Sequence, residues 1–292
     1  MCVAMRSDAR TQGGSLRLIA LDLDGTLLRS DGSISARTRV ALDAAERAGL
    51  VVMSVTARPP RRVARVAEAT GLRGVAICSN GGLLYDVTTE TVVSQIRLSA
   101  ELTVALVTQL RSALPGVAFA VEVGTRHGSE TTFRILEEHG EDRATASLPS
   151  TDALVLCREG VTKLIVQHPE HPLERLLSIT SEYAGTLATV TYSGSEFVEV
   201  SAAGVTKASA LAAYCAQHNI EPTQVIACGD MPNDLPMLSW AGWSVAVANA
   251  HPQVLACADE VTDSNDEDGV AAVLERLAHD SYAAPIRKPR KG

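Results

Sequence analysis

The chain reads as an α/β protein, a doubly wound parallel sheet with helices on both faces, interrupted by an inserted α+β domain. Three observations predict this. Short apolar runs alternate with amphipathic helical stretches in the segments 16–83 and 201–280, and such alternation builds parallel sheets covered by helices. Each apolar run ends in a loop of small polar residues. Between 84 and 200 the pattern changes to short alternating strands and two longer helical stretches. With 292 residues the chain can bury a large core and divide into two domains. The expected division is a discontinuous core at 16–83 and 201–280, an inserted domain at 84–200, a lead-in at 1–15 and a basic tail at 281–292.

The elements follow in order. Leu18-Ile19-Ala20-Leu21 is short and apolar, as a buried strand requires. Ile34 to Gly49 is amphipathic at helical spacing, with Ser35 placed to cap it and Gly49 to stop it. A second buried strand, Leu50 to Val55, ends in Thr56-Ala57-Arg58-Pro59-Pro60; a helix over 61–70 and a strand from Gly74 to Cys78 follow, the latter ending in Ser79-Asn80-Gly81-Gly82. Within the insert, strands are expected at 91–96, 117–123, 163–167, 189–193 and 197–200, and helices at 100–113 and 172–184. The core pattern then resumes with a helix from Lys207 to His218, a strand from Val225 to Cys228, a helix from Leu235 to Ala241 and a strand from Trp243 to Val247. Ligands of such sheets collect at the carboxyl ends of the strands, so these loops should converge.

Composition narrows the function. The chain is 46% hydrophobic but only 3% aromatic, and 26 basic against 34 acidic residues leave a net charge of −8. That balance argues against nucleic acid as a partner, because a polyanion needs a basic face. Six cysteines are scattered without C-x-x-C pairs, several inside apolar strands. A zinc site or disulfide framework is therefore not expected, and free thiols in a reducing cytoplasm are. No apolar run reaches membrane-spanning length, and 1–15 lacks the apolar core of a signal peptide.

The first strand delivers Asp22 and Asp24, one residue apart, into a glycine-containing loop. Period-two geometry points both carboxylates the same way. Paired carboxylates at the end of an apolar strand repel each other and lose hydration, so a positive charge belongs between them. A hard cation that takes oxygen ligands, Mg²⁺, suits that place. Asp22 is then a carboxylate nucleophile and Asp24 a general acid and base. Thr56, at the end of the second strand, offers a hydroxyl and adjacent amides for a phosphoryl oxygen. Lys207 opens a helix, where a lysine opposes the macrodipole unless an anion sits beside it. In the loop after Cys228, Asp230 supplies a second metal carboxylate and Asn233 a donor, while Asp234 ligates, holds a metal-bound water or orients Lys207. Each loop alone also has a plain structural reading: turn-forming aspartates, a threonine closing its own turn, a solvated lysine, caps for the helix at Leu235. In the insert, Arg126 and His127 follow a strand and would meet a polar leaving group, or form an ordinary hairpin loop.

The string Asp22-Leu23-Asp24-Gly25-Thr26-Leu27-Leu28 resembles the first signature of the haloacid dehalogenase superfamily. Ser79-Asn80-Gly81-Gly82 before the insert, Gly204-Val205-Thr206-Lys207 after it, and the ending from Thr262 to Ala271 resemble its Cof-type phosphatases, subfamily IIB. The likeness spans Leu18 to about Leu277. It implies a Rossmann-like core with a C2-type cap and hydrolysis of small phosphorylated metabolites through an aspartyl-phosphate. It also implies Mg²⁺ held by the Asp22 side chain, the Asp24 carbonyl and Asp230. Phosphate contacts would come from the Leu23 amide, Thr56, Ala57, Lys207 and Asn233, with Asn80 lining the mouth between core and cap. Two departures stand out: Thr56-Ala57-Arg58 where the family has Thr-Gly-Arg, and Val247-Ala248-Asn249 where it carries glycine before the asparagine. A small phosphorylated molecule is the expected partner, with no nucleic acid or membrane partner expected from charge and hydropathy, and the oligomeric state is open between monomer and homodimer. A phosphomutase of the phosphomannomutase kind shares the opening signature and is the nearest alternative; a non-catalytic ligand-binding module is another.

Overall fold

The computed structural model describes residues 15–134, 148, 150–194 and 196–279. The lead-in, Ser15 apart, and the basic tail at 281–292 lie outside the described residues. The chain forms two compact units. One takes Met1–Thr56, Val66–Ala76 and Lys207–Gly292, as far as these are described; the other takes Ala57–Arg65 and Ile77–Thr206. This grouping places 57–65, 77–83 and 201–206 with the insert, where the sequence reading puts boundaries at 84 and 200.

In the first unit, β1 (Leu18–Leu21) lies between β2 (Val51–Ser54) and β11 (Val225–Gly229), parallel to both. β12 (Trp243–Ala246) and β13 (Glu260–Val261) extend the sheet, in the order β13-β12-β11-β1-β2, with every pair parallel. All four β1 residues are buried, which explains their unbroken apolar run: the strand is covered on both faces. Leu21 pairs with both Ser54 and Cys228. The chain therefore leaves β1, β2 and β11 at one level, delivering Asp22, Thr56 and Asp230 to the same sheet edge.

Helix α1 (Ala36–Arg47) begins where the Ser35 side chain accepts the Thr38 amide at 2.9 Å. It buries Ala41, Leu42 and Ala45 and is followed by Gly49 at φ 86°. α1 packs on α9 (Gly269–His279). Helix α2 (Pro60–Thr70) follows β2 with proline at its first position.

One strand departs from expectation. β3 (Val75–Cys78) is not a member of the parallel sheet; it forms a three-stranded sheet with β4 (Leu83–Asp86) and β5 (Thr91–Gln95). The turn between β3 and β4 has positive φ at Ser79, Asn80 and Gly81 (51°, 57° and 101°), which folds the chain back at once.

The rest of the second unit is an antiparallel sheet in the order β7-β6-β8-β10-β9: β6 (Ala118–Val123), β7 (Arg126–Ser129), β8 (Lys163–Gln167), β9 (Ala188–Thr191) and β10 (Val198–Ala202). Helices α3 (Ala100–Ala113) and α5 (Leu173–Ala184) pack together over a core that includes Leu106, Leu110, Phe119, Leu164 and Val198. A short helix, α4 (Ala153–Leu156), precedes β8. The α+β character expected of the insert is observed. The hairpin at 122–127 is tighter than expected, since Arg126 already begins β7 and the turn is confined to Gly124 and Thr125.

Candidate active site

β1 ends at Asp22, whose amide donates to the Cys228 carbonyl at 3.0 Å and so continues the ladder by one residue. Helix α6 (Lys207–Gln217) starts with a lysine that is 2% exposed, not a solvated one. Its Nζ donates to Asp22 Oδ1 at 2.5 Å and to Asp234 Oδ1 at 2.7 Å. Asp234 spends its other oxygen, Oδ2, on the amides of Asp230 (3.1 Å) and Met231 (3.0 Å). One carboxylate thus closes the loop after β11 and orients the lysine. Asp230 Oδ1 accepts the Thr26 hydroxyl at 2.9 Å, and its carbonyl accepts the His251 amide at 2.8 Å.

Asp22, Asp230 and Asp234 each offer an oxygen within 4.8 Å of the others, and all three are buried. Only one ammonium among the described residues pairs with them. Burial, and then the neighbouring carboxylates Asp234, Asp230 and Asp24, push the Asp22 carboxyl well above its usual range, although Lys207 pulls the other way. Burial and the Asp234 charge raise Asp230 to about 6 against the pull of Thr26 and Lys207. Acidic oxygens in excess of their counter-charge form a donor set that suits a hard divalent cation.

The remaining site residues fall into two groups. Thr56 is fully buried just beyond β2, whose next residue, Val55, donates to the Leu21 carbonyl at 2.8 Å. Asn233 is buried in the 3₁₀ turn Pro232–Asp234 that leads into α7 (Leu235–Trp240). Leu23 is buried, while Asp24 is half-buried and keeps access to solvent. These belong to the same unit as Asp22, Lys207, Asp230 and Asp234. Ala57, Asn80, Arg126 and His127 belong to the other. There Asn80 Nδ2 donates to Glu199 Oε2 at 2.9 Å, Arg126 is exposed and pairs with Glu159 at 3.4 Å, and His127 is buried on β7.

Sequence reading assigned no role to Thr26 or Asn249. Asn249 donates to the Gly25 carbonyl at 2.8 Å and accepts the Asn265 amide at 2.9 Å, pinning the loop that carries Asp24. The only signal was position: an asparagine in the short loop after β12. Gly25 has φ 74°, and a Cβ there would press into Asp230 Oδ2. Gly25→Ala therefore meets both a left-handed backbone and a carboxylate that must move. It is expected to cost about 1–2 kcal/mol for the backbone alone, read as a fall in the thermal midpoint of at least about 2–4 °C.

The family model for haloacid dehalogenase-like hydrolases matches residues 19–274. The chain belongs to this family. This haloacid dehalogenase-like hydrolase is 30% identical over 268 residues to pyridoxal phosphate phosphatase YbhA of Escherichia coli (strain K12), covering 88% of the chain and 97% of the relative. It is 29% identical over 259 residues to 5-amino-6-(5-phospho-D-ribitylamino)uracil phosphatase YcsE of Bacillus subtilis (strain 168), covering 89% and 94%. Among solved structures, the subclass IIB sugar phosphatase BT4131 shares the fold with a TM-score of 0.76 at 22% identity, over 89% of this chain and 98% of that one. The solved structure shows the fold the chain shares, and family and relatives together make the chain a phosphatase of the haloacid dehalogenase-like kind.

Proposed function

We propose that the protein is a Mg²⁺-dependent phosphomonoester hydrolase that works through an aspartyl-phosphate on Asp22 and takes small metabolites such as sugar phosphates or phosphorylated cofactors. The observation that carries this reading is the buried Lys207 ammonium bridging Asp22 and Asp234, with Asp230 beside them. A nucleophile held at 2.5 Å by a lysine is oriented and has its charge partly offset, so a phosphate dianion is able to approach it.

An Asp22 carboxylate oxygen attacks phosphorus and the ester P–O bond breaks. The Asp24 carboxylic acid gives its proton to the departing oxygen. Asp24, now a carboxylate, takes a proton from the water that attacks the phosphoryl group, which restores Asp22 and releases phosphate. The half-exposed position of Asp24 suits it to meet both leaving group and water. Thr56, the Leu23 and Ala57 amides, Lys207 and Asn233 hold the phosphoryl oxygens. Asp22, the Asp24 carbonyl and Asp230 would hold the Mg²⁺, with Asp234 as a further carboxylate beside it. The ion supplies positive charge that offsets nucleophile and phosphate together. Arg126 or His127 is assigned to a polar leaving group, and Asn80 to the substrate as a residue of the insert's edge.

The partner proposed is a small phosphorylated molecule, and the net charge of −8 speaks against a nucleic acid. Cys78, Cys157, Cys215 and Cys228 are free and buried. Burial pushes the Cys157 and Cys228 thiols to about 12 and Cys215 to about 11, which makes them poor nucleophiles and fits a reducing, cytoplasmic setting.

The test is steady-state phosphate release from a panel of sugar phosphates, nucleotides, pyridoxal phosphate and an aryl phosphate, with Mg²⁺ or with EDTA. Turnover with Mg²⁺ that falls at least about 100-fold in EDTA is expected, given the several kcal/mol a metal supplies to phosphoryl transfer. Isomerised product without net phosphate release would replace this reading with a phosphomutase. Failure to turn over any phosphomonoester, with Mg²⁺ still bound, would leave a binding role.

A further inference from the structure

Ala57 and Asn80, two residues assigned above to the substrate, are tethered to one buried group of charges that the chemistry itself does not use. Lys163, 2% exposed at the start of β8, donates through Nζ to the Ala57 carbonyl at 2.8 Å and to Glu199 Oε1 at 2.7 Å. It also stands 3.4 Å from Glu122 Oε1. Glu199 turns its second oxygen to Asn80, and Glu122 turns its second oxygen to the Ser79 hydroxyl at 2.7 Å. Ser79 in turn donates its amide to the Arg58 carbonyl at 2.9 Å. Every one of these groups lies in the same unit.

Strand register explains how the charges meet. Glu122 on β6 pairs directly with Lys163 on β8, and Glu199 on β10 pairs with Ile165, two residues further along β8. All three side chains therefore stand on one face of adjacent strands. Burial alone would lower the Lys163 amine, but Glu122 and Glu199 outweigh it and hold the ammonium above its usual range.

Fold stability does not account for this arrangement. Well-packed apolar residues in place of a buried ion triad are often as stable or more so. Apolar residues would not, however, hold a backbone carbonyl in one loop and a side-chain amide in another. Ser79 and Asn80 also sit in left-handed backbone (φ 51° and 57°), a conformation that persists in such residues where surrounding contacts enforce it. We propose that Lys163, Glu122 and Glu199 are positioning residues for the phosphomonoester, holding Ala57 by its carbonyl, next to the amide assigned to a phosphoryl oxygen, and Asn80 by its side-chain amide. This inference rests on the phosphatase reading of Ala57 and Asn80.

The test compares the full chain with Lys163→Met and with the charge-neutral triple variant Lys163→Met, Glu122→Gln, Glu199→Gln. The triple variant leaves no uncompensated buried charge and keeps an acceptor for Asn80 if the single variant does not fold. KM for the best substrate of the panel and the inhibition constant of inorganic phosphate are expected to rise about tenfold or more in the folded variants, as for displaced binding groups. A purely structural role would lower the active fraction, and with it the apparent kcat, while leaving KM and the phosphate constant unchanged; that result overturns the proposal. Absence of turnover in the parent protein overturns the phosphatase reading and this inference with it, whereas an active parent with unaltered constants in the variants overturns the inference alone.

Discussion

Asp22→Asn is expected to lower kcat by at least about 1000-fold on every phosphomonoester, since removal of a nucleophile costs more than loss of any one supporting group. That factor corresponds to about 4 kcal/mol of barrier. The amide is nearly isosteric and still offers an oxygen to Lys207, so the loss would not follow from a rearranged site. Stability should move the other way in metal-free protein. Burial and three neighbouring carboxylates hold the Asp22 carboxyl above its usual range. A folded-state pKa above the unfolded value of about 3.9 means that ionising this group costs the fold stability as pH rises past that value. A neutral amide removes that cost. The thermal midpoint of the variant in EDTA at pH 7 should therefore equal or exceed that of the parent, while its activity is lost. A variant that retained more than about a tenth of the parent turnover would show that Asp22 is not the nucleophile.

Lys207→Met should damage both fold and activity. The ammonium is 1% exposed and holds Asp22 and Asp234 at 2.5 and 2.7 Å. Its removal leaves buried carboxylates without their counter-charge, a loss that typically costs about 3–5 kcal/mol. The two carboxylates raise the Lys207 amine above its ordinary range, outweighing its burial. Its stabilisation is therefore present throughout pH 5–9 and fades only above the unfolded lysine value of about 10.4. In the variant the orphaned carboxylates recover by binding protons. The deficit in thermal midpoint should thus be largest near pH 8 and shrink toward pH 5. Turnover should fall about 100–1000-fold, the usual penalty for deleting one electrostatic group aimed at developing charge. Equal deficits at the two pH values would show that the lysine stabilises by packing rather than by charge.

Sequence alone determined the fold class, nearly every strand and helix bearing the site, and the identity of the acidic and basic groups. Those features are local. The apolar run before Asp22, the cap at Ser35 and the loop of Asp230 to Asp234 depend on neighbouring residues and leave their signature in order and spacing. Lys207 was legible for the same reason, as a cation at a helix start with nothing nearby to explain it.

Tertiary structure decided what depends on residues distant in the chain. Nothing near Lys207 in sequence shows it to be buried, because its partners lie 185 and 27 positions away. The membership of β3 was invisible, since an apolar strand reads alike in a parallel or antiparallel sheet, and only the left-handed turn at Ser79 and Asn80 diverts it to β4. Arg126 fits a loop and a strand equally by composition, and pairing with Val123 makes it a strand residue. The group formed by Glu122, Lys163 and Glu199 is the clearest case. Each residue looks like an ordinary polar member of a half-exposed strand, and the register of three strands puts all three inside, where unshielded charges must find one another.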